Sequence, residues 1–119
     1  MSEANFATIM LLSLLIYTHT ADANSYNVGD STGWTFNVTG WENGKPFKAG
    51  DGLVFKYAVG RHNVVVVDKA SYDSCSVPVG APTYRSGNDK LTLNKGTNYF
   101  ICGFTGHCQA GMKIAAIAN

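Results

Sequence analysis

Charge is scarce in this chain, and so are the side chains that bind metals. Only 14% of its 119 residues are charged, and Lys and Arg are scattered without a basic run, so nucleic acid is not an expected partner. At 45% hydrophobic residues it is not a charge-driven disordered segment either. No apolar stretch reaches the roughly 20 residues that a membrane span takes. Past residue 24 no apolar pattern of helical period runs for a useful length, which argues against a helical bundle. Internal repeats, Pro-rich linkers and low-complexity tails are absent, so one domain with one core is expected.

What is present begins with a short apolar run, Ile9 to Tyr17, followed by Ala21-Asp22-Ala23, the small-x-small pattern of a signal-peptidase site. Residues 1–23 therefore read as a secretory leader and 24–119 as the mature domain. Loss of Glu3 and Asp22 leaves 9 basic against 6 acidic residues, a net charge of +3. Two histidines, His62 and His107, and one methionine, Met112, remain after residue 24. All three cysteines, Cys75, Cys102 and Cys108, also remain. Secretion implies an oxidising compartment, where cysteines pair. Three cannot all pair within one chain, so one is an intermolecular bridge, a free thiol or a metal thiolate.

The mature region carries short β-rich runs between turn residues. Ser25–Gly29, Gly33–Thr35, Leu53–Val59, Asn63–Val67, Leu91–Leu93, Tyr99–Phe104 and Lys113–Ala118 are the expected strands. Leu53, Phe55 and Tyr57 alternate onto one face, and four consecutive valines from Val64 suggest a strand buried on both sides. Ala49-Gly50-Asp51-Gly52 and Ser86-Gly87-Asn88-Asp89 are turn sequences. The stretch 69–85 lacks strand character and is expected to hold a helical turn near Ser71–Ser74. About seven short strands so punctuated predict an all-β sandwich, antiparallel or mixed. Asn37-Val38-Thr39 is an N-glycosylation sequon in an expected surface loop.

The chemistry concentrates near the C-terminus. Cys102, His107 and Met112 are separated by four residues each time, with Gly103, Gly106 and Gly111 between them. One loop joining two strands can turn three such side chains onto one point, the glycines supplying backbone freedom. A second imidazole must come from elsewhere, and His62, at the head of the valine run, is the one left. Taken singly, an odd cysteine, a histidine before a β-run and a late methionine are ordinary residues. Together they make two imidazoles, a thiolate and a thioether, the donor set of a blue-copper site with a long axial Met. That set suits both copper oxidation states and leaves no strong position open to substrate, so it supports electron transfer rather than catalysis. A structural zinc site on His62, Cys102, His107 and Cys108 would lack paired-ligand spacing and would keep thiols reduced in an oxidising compartment.

At these residues the chain resembles the phytocyanins, the plant branch of the cupredoxins, and within them the plantacyanins. The resemblance spans the mature region: Gly33-Trp34, Phe47 to Asp51 with Leu53 to Tyr57, His62 to Val67, Tyr99 to Cys102, Gly106-His107-Cys108 and Gly111 to Ile114. It implies a cupredoxin-like Greek-key β-sandwich of seven to eight strands holding one copper ion. It also implies His62, Cys102, His107 and Met112 as ligands and a Cys75–Cys108 disulfide, where spacing alone left three pairings open. Asn63 resembles the position whose backbone donates a hydrogen bond to the cysteine sulfur. The His107 ring edge is expected to reach the surface through an apolar patch. Met112 separates the chain from stellacyanins, which carry Gln there. The expected protein is a secreted, monomeric one-electron carrier of the apoplast or cell wall, not an enzyme and without a membrane anchor. Its redox partner is a small molecule or protein that the sequence does not name. A cell-wall or reproductive signalling module with structural copper is the alternative.

Overall fold

The computed structural model describes residues 22–119; the expected leader therefore lies outside the described residues except for Asp22 and Ala23. Seven strands form two sheets: β1 (Ser25–Asn27), β2 (Gly52–Lys56), β3 (Val64–Val67), β4 (Thr83–Tyr84), β5 (Asn88–Thr92), β6 (Gly96–Ile101) and β7 (Lys113–Ala118). One sheet runs β1-β2-β5 and the other β4-β3-β6-β7. The β1–β2 pair is parallel and all other pairs are antiparallel, so the sandwich is mixed.

Side-chain alternation explains how the sheets close. Leu53 and Phe55 on β2 and Ile114, Ala116 and Ala118 on β7 turn inward and are buried. With Val64 and Phe100, which share the sheet of β7 and face β2, they form one core, which Cys102 and Met112 join. Burying each large apolar side chain stabilises the fold by about 1.5–3 kcal/mol. The long β1–β2 connection adds Val28, Trp34, Val38 and Phe47 to that core. The valine strand is covered on both sides, as expected. Val64 faces the main core, whereas Val65 joins Ile101 and Cys108 in a second cluster on the outer face of the sheet.

That outer face is closed by α1 (Lys69–Ser74), which begins two residues earlier than the sequence suggests. The Asp68 carboxylate caps its first turn by accepting from the Ser71 amide at 2.9 Å. Several strands differ from expectation, among them β6, which runs Gly96–Ile101 rather than Tyr99–Phe104, and β2, which ends at Lys56 rather than Val59. Trp34 donates one backbone bond to the Lys56 carbonyl at 2.9 Å, but residues 33–35 form no strand. β4 lies inside the stretch that lacked strand character, and β5 begins at Asn88 rather than Leu91. In each case tertiary pairing outweighs local propensity.

Candidate metal centre

The register of two strand pairs builds the site. β3 and β6 run antiparallel with Val65 opposite Ile101, so the head of β3 lies beside the tail of β6. His62 and Asn63 precede β3, Cys102 follows β6, and these distant residues become neighbours. β6 also pairs with β7, Ile101 opposite Lys113, and the Cys102 amide extends that ladder to the Met112 carbonyl at 3.0 Å. The 102–112 segment is thus a closed loop between adjacent strands.

Inside the loop the backbone folds on itself. The Met112 amide donates to the His107 carbonyl at 3.1 Å and the Gly111 amide to the Cys108 carbonyl at 3.0 Å. Gly111, at φ +85°, lies so close to the Asn37 backbone that a Cβ would stand 3.0 Å from its Cα. Gly103 serves differently from the backbone freedom expected of it: a Cβ there would press on Val65, Asn63 and Val77 at 3.0–3.3 Å. Its value is close approach.

Three donor atoms converge. The Nδ1 atoms of His62 and His107 stand 3.0 Å apart, and Cys102 Sγ is 3.6 Å from His107 Nδ1. All three ligand atoms lie within 4.8 Å of one another. Bonds of about 2.0 Å to nitrogen and 2.3 Å to sulfur are usual for first-row ions, so such separations fit donors sharing one ion. Cys102 and Met112 are buried in the same core cluster, and both histidines are half-buried. Cys75 and Cys108 form a disulfide with Cα atoms 5.6 Å apart, leaving Cys102 as the free cysteine. That bridge ties the ligand loop to the end of α1.

Electrostatics around the donors are set by burial and by oriented amides. Burial pushes the Cys102 thiol up, while hydrogen bonds from the Asn63 and Phe104 backbones act in the opposite sense. Burial also holds His62 low, with His107 and Arg61 adding to the effect, which favours a neutral imidazole with a lone pair to give. Asn63 is itself clamped. Its side-chain Oδ1 accepts from the Gly103 amide at 2.6 Å, and its carbonyl accepts from Trp34 Nε1 at 2.9 Å. These two bonds lock the head of β3 to the ligand loop; neither was legible in the sequence.

Aromatic rings cover the site. Phe36, an exposed aromatic that carried no sequence signal, lies edge-on to His62 at 5.4 Å and His107 at 4.8 Å. With Phe104, Arg61, Gly60 and both imidazoles it lines an open cleft of about 360 Å³. The Tyr57 ring stands 6.4 Å from His62, and its hydroxyl donates to the buried Asp89 carboxylate.

Comparison with known proteins bears on this geometry. The plastocyanin-like domain family matches residues 34–112. A basic blue protein of Arabidopsis thaliana is 53% identical over 118 residues, spanning 98% of this chain and 92% of that protein. The solved structure of cucumber basic protein, a blue copper protein, is 54% identical with a TM-score of 0.79, covering 80% of this chain and 99% of that one. Spinach plantacyanin, also solved, is 57% identical with a TM-score of 0.72 over the same shares.

Proposed function

This chain belongs to the plastocyanin-like blue copper proteins of the phytocyanin group, and from that premise we propose that it is a secreted carrier of single electrons. His62, His107 and Cys102 would hold the copper through Nδ1, Nδ1 and Sγ, with the Met112 thioether as a weaker fourth donor. The observation that carries the reading is the meeting of two imidazole Nδ1 atoms 3.0 Å apart with a buried, unbridged cysteine sulfur. Copper in such a set supplies a reversible one-electron change.

The protein's part is to hold those donors still. The Cys75–Cys108 bridge, the closed 102–112 loop and the Trp34–Asn63 clamp resist rearrangement, so the donor positions suit both oxidation states without a large shift. Backbone amides of Asn63 and Phe104 point at the sulfur and stabilise its thiolate form. Phe36 and Phe104 flank the imidazoles with apolar surface and give an electron a short path through the His107 edge to a small redox partner. Four protein donors leave the chain a carrier rather than a catalyst.

The visible and paramagnetic-resonance spectra of the purified domain loaded with Cu(II) test the reading. An intense blue band with small copper hyperfine splitting, bleached by ascorbate, is expected. A colourless Cu(II) sample with intact Cys102 would refute it.

Secretion is supported by the Ile9–Tyr17 run and the Ala-x-Ala pattern before Asn24, and by the near-complete coverage of the two solved proteins by 80% of this chain. Exposure of Asn37 in a left-handed turn, φ 61°, supports use of the sequon as a glycan site. Intact mass before and after an endoglycosidase checks it, and an unchanged mass refutes it.

A further inference from the structure

Asp51 is the most buried carboxylate described, at 2% exposure. Its Oδ1 accepts from the Asn24 amide and its Oδ2 from the Lys48 amide, each at 2.9 Å. Among the described residues the one ion pair is Lys69–Asp73; Asp51 is in contact with no cation, its carboxylate resting on two neutral amides with the Lys48 charge acting from beyond contact. The Asn24 carbonyl accepts in turn from the Gly52 amide at 2.8 Å, and β1 begins at the next residue. Asp22 and Ala23, by contrast, are exposed and make no hydrogen bond among the described residues.

We propose that the protein is cut between Ala23 and Asn24 and that the new Asn24 ammonium forms an ion pair with Asp51. A leader endopeptidase adds one water across that peptide bond. Ala23 leaves with a carboxylate, and the Asn24 nitrogen, already at the Asp51 carboxylate, takes a proton to become an ammonium. A neutral amide donor is thereby replaced in place by a charged one, and charge-assisted hydrogen bonds are roughly twice as strong. The Gly52 bond and the β1–β2 pairing, Ser25 opposite Gly52, hold the residue on its other side. Processing places a full positive charge in contact with Asp51 only if the cut falls at this bond. One residue earlier or later moves the ammonium out of register. The inference rests on the leader reading above and not on the copper.

The test expresses the full chain in a secretory eukaryotic cell, maps the N-terminus by mass and titrates the α-amino group by NMR. A terminus at Asn24 is expected, with the α-amino pKa raised above its ordinary range of about 7.7–8.0. A raised pKa stabilises the fold below the ordinary value, and that stability is lost as pH rises through the raised one. Each unit of elevation therefore weakens the unfolding equilibrium about tenfold across this window, relative to a protein beginning at Ala23. Lys48, whose charge acts on Asp51, and Lys90, whose side chain lies against the neighbouring Gly52, are common to both proteins. Asp51→Asn should return the α-amino group to its ordinary range. If that variant does not fold, the Ala23 protein keeps Asp51 and still gives the comparison. Retention of residues 1–23 would refute the leader reading, and the inference with it. A different terminus, or an unshifted α-amino group at Asn24, would overturn the inference alone.

Discussion

Replacing Cys75 and Cys108 together by alanine opens a bridge that closes a loop of 33 residues in sequence. The chain-entropy relation for a loop of that length gives about 3.7 kcal/mol at 25 °C. Cys108 is also 3% exposed and packs with Val65 and Ile101, so truncation there adds a small loss of contact. The total is a large share of the about 5–15 kcal/mol that a domain of this kind has to spare. The assay is urea unfolding of the metal-free protein, followed by Trp34 and Trp41 fluorescence. With a slope of about 1–3 kcal/mol/M, the midpoint should fall by roughly 1–4 M. The Tm should drop by roughly 15–30 °C. The double variant is the right one. Cys75→Ala alone would leave the Cys108 thiol of the ligand loop free to form bridges between molecules, which would confound the unfolding curve. A double variant less than about 1 kcal/mol below the parent would refute the loop-closure reasoning.

Cys102→Ser should abolish the blue band, whereas Met112→Gln should keep it and shift the reduction potential, read by voltammetry; an unchanged potential would remove Met112 from the donor set. Hydrogen bonds from the Asn24 and Lys48 backbones hold Asp51 below its ordinary 3.8. Its stabilising contribution is then fully present above pH 3.8 and lost as pH falls through the lowered value, and Asp51→Asn should flatten that part of an acid-unfolding curve. Burial, with the Asp89 bond next in weight, pushes the Tyr57 phenol up to about 12. Ultraviolet titration should show Tyr57 ionising near that pH, with Tyr72, also raised by burial, above the ordinary range, and folding stability falling between pH 10 and 12. Tyr57→Phe should remove the Tyr57 ionisation and lessen that fall, and a complete tyrosine titration near pH 10 in the folded protein would contradict the burial.

The site was more legible than the framework around it. After residue 24 the chain has two histidines and one methionine, so a soft donor set could be assembled from residue types and the two equal gaps from Cys102 to Met112. The strands at Leu53, Val64 and Lys113 were legible because burial on one or both faces leaves a period-2 or continuous apolar pattern. β4 left no such trace. Thr83 and Tyr84 make a two-residue edge strand whose existence depends on Val64 and Val65 alongside. Trp34 suggested a strand and instead sits in a loop, its ring packed on Phe55 and its Nε1 spent on the Asn63 carbonyl.

What the linear order determined was the chemistry available: which donors exist, how many cysteines must divide into a pair and a remainder, and which segments can bury an apolar face. Those are properties of residue type and short-range period. Tertiary structure decided which atoms meet. The β3–β6 register carries His62 to Cys102, and the end of α1 brings Cys75 to Cys108. The β1–β2 register sets Asn24 on Asp51. Each contact joins residues 27 to 40 positions apart, and one residue of slip in either strand pair would turn every side chain of that strand to its other face.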